Sequence, residues 1–174
     1  MKYFTFRLPV KKYIQKYLTT LYGETIPATM DTDIGFIILN ILASRLESQV
    51  ARGYNKQLQA GVPGSVTFTI PIFYWYYTKK QLSVHTCILL NRFLENRFED
   101  ELCRFIAMRD TEGHGKYKKA IEDFSRIYNI ELEEDITFDG LRKMEYRSRK
   151  KRAEVSLCKM SPINNLFSDT SLTA

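Results

Sequence analysis

Histidine, tryptophan, cysteine and proline are scarce in this chain: two, one, three and five residues among 174. Each scarcity closes off a class of protein. Cys87, Cys103 and Cys158 are odd in number and far apart, which gives neither a disulfide framework nor a zinc pattern. Cys87 and Cys103 fall in a helical apolar pattern and read as core thiols. His85 and His114 have no Cys or carboxylate at metal-ligand spacing beside them. The chain has no Gly-x-x-x-x-Gly-Lys-Ser/Thr loop, dinucleotide fingerprint or nucleophile elbow. The expectation is a non-enzymatic protein with no metal and no small-molecule cofactor. Long apolar runs are missing as well. The longest, residues 34–43 broken by Asn40, is about half of a bilayer span. With no basic-then-apolar leader at its N-terminus, the chain reads as intracellular and cytoplasmic, without a membrane partner.

What is abundant is apolar and aromatic material, 44% and 13% of residues, which is enough for a folded core. Two stretches alternate with period two. Phe4, Phe6 and Leu8 alternate with Tyr3, Thr5 and Arg7, while Val66, Phe68 and Ile70 alternate with Thr67 and Thr69. This pattern predicts strands over 2–8 and 66–71, each with one apolar and one polar face. Pro9 is expected to end the first strand and open a helix, its fixed φ suiting a first turn. Pro71 closes the second. Two such strands can pair into an antiparallel ribbon narrow enough for the major groove of DNA.

The remaining periodicity is helical. Val10, Tyr13, Ile14, Tyr17, Leu18 and Leu21 mark a helix over 10–22 that stops at Gly23. Asp31, Thr32 or Asp33 caps a helix over 33–50, and residues 51–64 form a Gly-rich linker. A short aromatic helix follows over 72–79. Leu90, Leu94, Phe98, Leu102 and Ile106 then form an i+4 chain, predicting one helix over 83–108. Gly113-His114-Gly115 breaks it. A helix from Lys116 to Tyr128 ends at Asn129, which tolerates the left-handed conformation of a C-cap. The last helix starts near Asp135 or Thr137.

Charge is unevenly distributed. The net +6 of the chain is matched by residues 142–152 alone, where Arg142, Lys143, Arg147, Arg149, Lys150, Lys151 and Arg152 face only Glu145. A localised basic block is the electrostatic footprint of a nucleic-acid contact. Just before it, Glu131, Glu133, Glu134 and Asp135 read as a solvated acidic turn rather than a cation site.

The order strand, helix, helix, repeated, with Phe4-Thr5-Phe6-Arg7-Leu8-Pro9 as its strand and Leu82-Ser83-Val84-His85-Thr86-Cys87-Ile88 opening its second helix, resembles the ribbon-helix-helix family of DNA-binding proteins. The resemblance implies a mainly α fold with a short two-stranded antiparallel β-ribbon, a duplicated strand–helix–helix unit over 1–110 in tandem, and C-terminal helices. It also implies that Tyr3, Thr5, Arg7, Thr67 and Thr69 read bases, while Ser83 and Thr86 hold phosphate at a helix N-terminus. Residues 116–152 resemble helix-turn-helix elements of phage and mobile-element regulators, with Arg142, Lys143, Arg147, Arg149 and Lys150 adding phosphate contacts. Residues 153–174 read as a disordered or loosely docked tail. The expected function is sequence-specific binding of double-stranded DNA by a regulator, with a homo-oligomer possible. The alternatives are a phage structural or assembly protein and an RNA-binding protein that stacks bases on Tyr and Phe.

Overall fold

The computed structural model describes residues 2–43, 64–77, 84–109 and 116–160. In chain order these form β1 (Tyr3–Val10), α1 (Lys12–Tyr22), β2 (Thr25–Pro27), α2 (Asp33–Ala43), β3 (Gly64–Pro71), α3 (Ile72–Tyr77), α4 (Val84–Met108), α5 (Lys116–Ile127) and α6 (Phe138–Met160). The molecule is mostly helical around one small sheet of order β1-β3-β2. The linker 51–63, His114 and residues 161–174 lie outside the described residues.

The two sequence-predicted strands pair antiparallel along their full length, with Thr5 opposite Thr69 and Arg7 opposite Thr67. A third strand changes the architecture. β2 runs parallel to β3, setting Thr25 against Thr67 and Pro27 against Thr69. The sheet is therefore three-stranded and mixed, rather than a two-stranded ribbon. β2 is too short to declare itself by periodicity, since exposed, buried, exposed over three residues is no pattern. β1 also continues through Pro9 to Val10, so Pro9 does not open the helix. It is tolerated because β1 is an edge strand, where a missing ladder donor costs little. Its carbonyl accepts a hydrogen bond from Asn91 Nδ2 at 3.0 Å.

Phe6, Leu8, Val10, Val66, Phe68, Ile70 and Ile26 form the inner face of the sheet, all buried. Phe6 and Phe68 stack there at 5.2 Å between centroids. This face packs against α1 and α4. Tyr13, Ile14, Tyr17 and Leu18 of α1 are buried, as are all five residues of the i+4 chain on α4. Phe98 is the hub: its ring meets Tyr13 at 4.9 Å, Tyr17 at 5.3 Å and Phe124 of α5 at 5.5 Å. A single core consequently runs from the sheet through α4 into the C-terminal helices, Leu141 of α6 included. Residues 116–152 are packed into the same body as the N-terminal elements, and α6 continues as helix to Met160.

The helix ends follow from local chemistry. Thr32 Oγ1 accepts the N–H of Gly35 at 3.1 Å, and Thr137 Oγ1 accepts that of Gly140 at 3.0 Å, both N-cap bonds. Gly23, at φ 84°, stops α1. Asn129, at φ 53°, ends α5, with Ile130 N–H returning to the Ser125 carbonyl at 2.8 Å and Asn129 N–H to that of Arg126 at 3.3 Å. That pair of bonds is a Schellman motif.

Candidate nucleic-acid interface

The outer face of the sheet is built by the same alternation that fills the core. Tyr3, Thr5, Arg7, Thr25 and Ser65 are exposed, and Thr67 and Thr69 are half-buried between them. Tyr3 is 54% exposed. Pairing aligns these residues in rows across the strands: Arg7, Thr67 and Thr25 in one, and Thr5, Thr69 and Pro27 in the next. Ser65 stands opposite Pro9. All five ribbon positions read from sequence therefore share one face. Thr25 and Ser65 join them, and sequence reasoning missed both. Ser65 sits beside the Gly-rich linker, and only its register with Pro9 reveals it. This face offers hydroxyls, methyls and one guanidinium, which are groups that reach base edges and phosphates.

The basic block forms a second surface. Along α6, Leu141 and Glu145 are buried and Met144 and Ser148 half-buried, while Arg142, Lys143, Tyr146, Arg147, Arg149 and Lys150 are exposed. Arg142 pairs with Asp139 at 3.3 Å and Arg149 with Glu145 at 3.6 Å. The sheet meets the first half of α4, through Asn91. α5 and α6 meet its second half, through Phe98, Cys103 and Phe105. α4, about 37 Å long, thus links the sheet to α5 and α6. Lys151, further along α6, reaches far enough back for its charge to act on Glu99.

The acidic turn is solvated at Glu131, Glu133 and Glu134, which are exposed, but not at Asp135. Asp135 has no exposed side-chain surface and lies 2.8 Å from Lys12 Nζ and 2.6 Å from Lys16 Nζ. Its Oδ2 also accepts the N–H of Glu131 at 2.8 Å, and Glu131 pairs with Lys16 at 2.8 Å. Burial alone would raise the Asp135 pKa, but the two lysines and the backbone N–H overcome it and hold the carboxyl at about 2. The turn is thus committed to α1, and among the described residues no group of three His, Cys, Asp or Glu is arranged for a metal.

The proposed phosphate site at the start of α4 is less well placed. Ser83 lies outside the described residues, and Thr86 is half-buried and engaged within the fold. Cys103 is buried and Cys87 half-buried, both as free thiols, and burial raises the Cys87 pKa. No described helix is long and apolar enough to cross a membrane. No family model, curated protein or solved structure matches this chain, so its surfaces must carry the functional argument.

Proposed function

We propose that this chain binds double-stranded DNA, with the outer face of its sheet in the major groove and the basic face of α6 on the phosphate backbone. The observation that carries the reading is the in-register pairing of Thr5 with Thr69 and Arg7 with Thr67 on an open sheet face. At about 4.8 Å per strand the β1–β3 pair is about 10 Å wide and fits the major groove of about 12 Å, whereas three strands, about 14 Å, do not. β2 spans only three residues, so most of the length of the sheet is two strands wide. The antiparallel β1–β3 pair takes the part of the ribbon in the ribbon-helix-helix resemblance, with β2 and the shared core as departures from that plan.

The face also favours a duplex over a single strand. Phe6 and Phe68, the rings at the middle of the sheet, point into the core. The centre of the outer face therefore presents threonines rather than stacking platforms. Arg7 suits the guanine edge, and the threonines suit thymine methyls or phosphates.

The test is a mobility shift with mixed duplex DNA at two salt concentrations, followed by selection of preferred sites. Binding should fall steeply with salt. Arg7→Ala should lower affinity for the selected site by about 1–3 kcal/mol and leave nonspecific binding nearly unchanged. Absence of any shift at low salt overturns the reading and favours a protein-assembly role.

A further inference from the structure

The C-terminal helices carry a feature that the sheet face does not use. Between the start of α5 and the outer flank of α6 lies a cleft of about 490 Å³ lined by Tyr117, Arg142, Lys143, Glu145, Tyr146 and Arg149. Its floor is fixed. The Glu145 side chain is 6% exposed and accepts the Tyr117 hydroxyl at 3.0 Å, while Arg149 Nε lies 3.6 Å from the same carboxylate. Burial, together with this carboxylate, pushes the Tyr117 pKa up to about 12, so its hydroxyl stays a donor. Glu145 is thereby engaged from within by Tyr117, with Arg149 as an exposed and looser partner.

The rim is different. Tyr146 is 58% exposed, and the Arg149 guanidinium sits 6.0 Å from its ring centroid. Lys143 is exposed at the rim, and the Arg142 pair with Asp139 has both members more than half exposed. Such a pair is weak and easily exchanged for a better anion. One wall therefore offers an aromatic ring beside an exposed guanidinium, and the other offers two further exposed cations.

We propose that this cleft binds one nucleoside phosphate unit, with its base on the Tyr146 ring and its phosphate among Arg142, Lys143 and Arg149. A bare anion leaves the ring unused, and an uncharged aromatic makes no use of the three cations beside it. The volume is that of a small-ligand site, large enough for one nucleotide. The unit is either a free mononucleotide or the phosphorylated end of a strand. The inference takes its class of ligand from the nucleic-acid reading but is independent of the sheet face.

The experiment titrates the full chain with AMP, adenosine and inorganic phosphate by calorimetry. A 5′-phosphorylated ten-residue single strand and its 5′-hydroxyl counterpart are titrated alongside. AMP should bind about tenfold or more tightly than either of its parts. Tyr146→Ala should weaken AMP by about fivefold or more, as loss of a stacked base does, while Tyr146→Phe retains binding. Tyr146 is on the surface, so circular dichroism of both variants should match the parent. A preference of tenfold or more for the phosphorylated strand over AMP assigns the cleft to strand ends; near-equal binding of the two assigns it to free nucleotide. AMP binding no tighter than phosphate, or unaffected by Tyr146→Ala, overturns the inference. Arg7→Ala leaves AMP binding unchanged. Loss of duplex binding with Tyr146-dependent AMP binding intact would therefore defeat the groove reading alone.

Discussion

Replacing Asp135 by Asn tests how the acidic turn is held. The native carboxylate has no exposed side-chain surface and meets Lys12 and Lys16 at 2.8 and 2.6 Å. Its pKa in the fold is about 2, against an ordinary value of 3.8. At about 1.4 kcal/mol per pKa unit, that depression is worth roughly 2 kcal/mol. The sign is that of a lowered carboxyl. The contribution is complete well above pH 4, falls to about half at pH 3, and vanishes below about pH 2 as both states protonate. Lys12 and Lys16 have raised pKa values through the same contacts, so the lock also weakens as alkali deprotonates them. Asn keeps an oxygen for the Glu131 N–H and nearly the same shape, so the substitution removes the charge and the acceptor that faces Lys12.

Urea unfolding at pH 7 should then show a loss of about 2–3 kcal/mol for Asp135→Asn, or about 5–10 °C in a thermal melt. At pH 3 the gap to the parent should shrink by about half. A difference below about 0.5 kcal/mol at pH 7 would refute the reasoning, because it would mean that the desolvation of the carboxylate cancels its two ion pairs. A gap of constant size from pH 7 to pH 3 would refute it too, by showing that shape rather than charge matters.

Other substitutions probe single local causes. Gly35→Ala should cost about 2 kcal/mol or more in urea unfolding, because an added Cβ would stand 2.2 Å from the Thr29 carbonyl oxygen. Asn129→Ala should cost about 1 kcal/mol and Asn129→Gly almost nothing in thermal melts, since the residue sits at φ 53°. Tyr117→Phe removes the hydroxyl donor 3.0 Å from the buried Glu145 carboxylate; a loss of about 1–2 kcal/mol by denaturant titration is expected.

The parts of this fold that were legible in sequence are those where one short pattern decides one face. Phe6, Leu8, Val66, Phe68 and Ile70 alternate with polar neighbours, and the structure buries all of them on one side of the sheet. The i+4 chain from Leu90 to Ile106 on α4 is buried throughout, and Gly23 and Asn129 stop their helices through positive φ. What was not legible depends on distant partners. Residues 131–135 look like a solvated acidic run because the lysines that bury Asp135 lie more than a hundred residues earlier, on α1. β2 exists because β3 has a second edge to offer, which no local pattern announces. Glu145 looks like the lone acid of a basic helix. Only packing turns it inward toward Tyr117, and only that contact gives α6 a cleft.

The role of the basic block must be tested without removing the helix that carries it. Cutting the chain after Gly140 would take away the positive charge, but also Leu141, which is fully buried, and Glu145 and Met144, which line the same packing face. The wall of α4 around Cys103, whose thiol lies 3.9 Å from the Glu145 carbonyl, would be laid open. Binding lost on truncation would therefore report unfolding as readily as missing phosphate contacts. Lys143, Arg147 and Lys150 are the better targets, because all three are exposed and their side chains leave the core untouched. Changing them together to Gln should alter stability by no more than about 0.5 kcal/mol. If each meets one phosphate, the slope of log affinity against log salt should flatten by about 0.9 per residue, and affinity should fall alike for all duplexes. The ranking of preferred sites should stay as Arg7 and the threonines of the sheet set it. An unchanged slope would show the block to be a solvated helix face. Retained general affinity with lost site preference would make α6 the reading element, and the sheet its support.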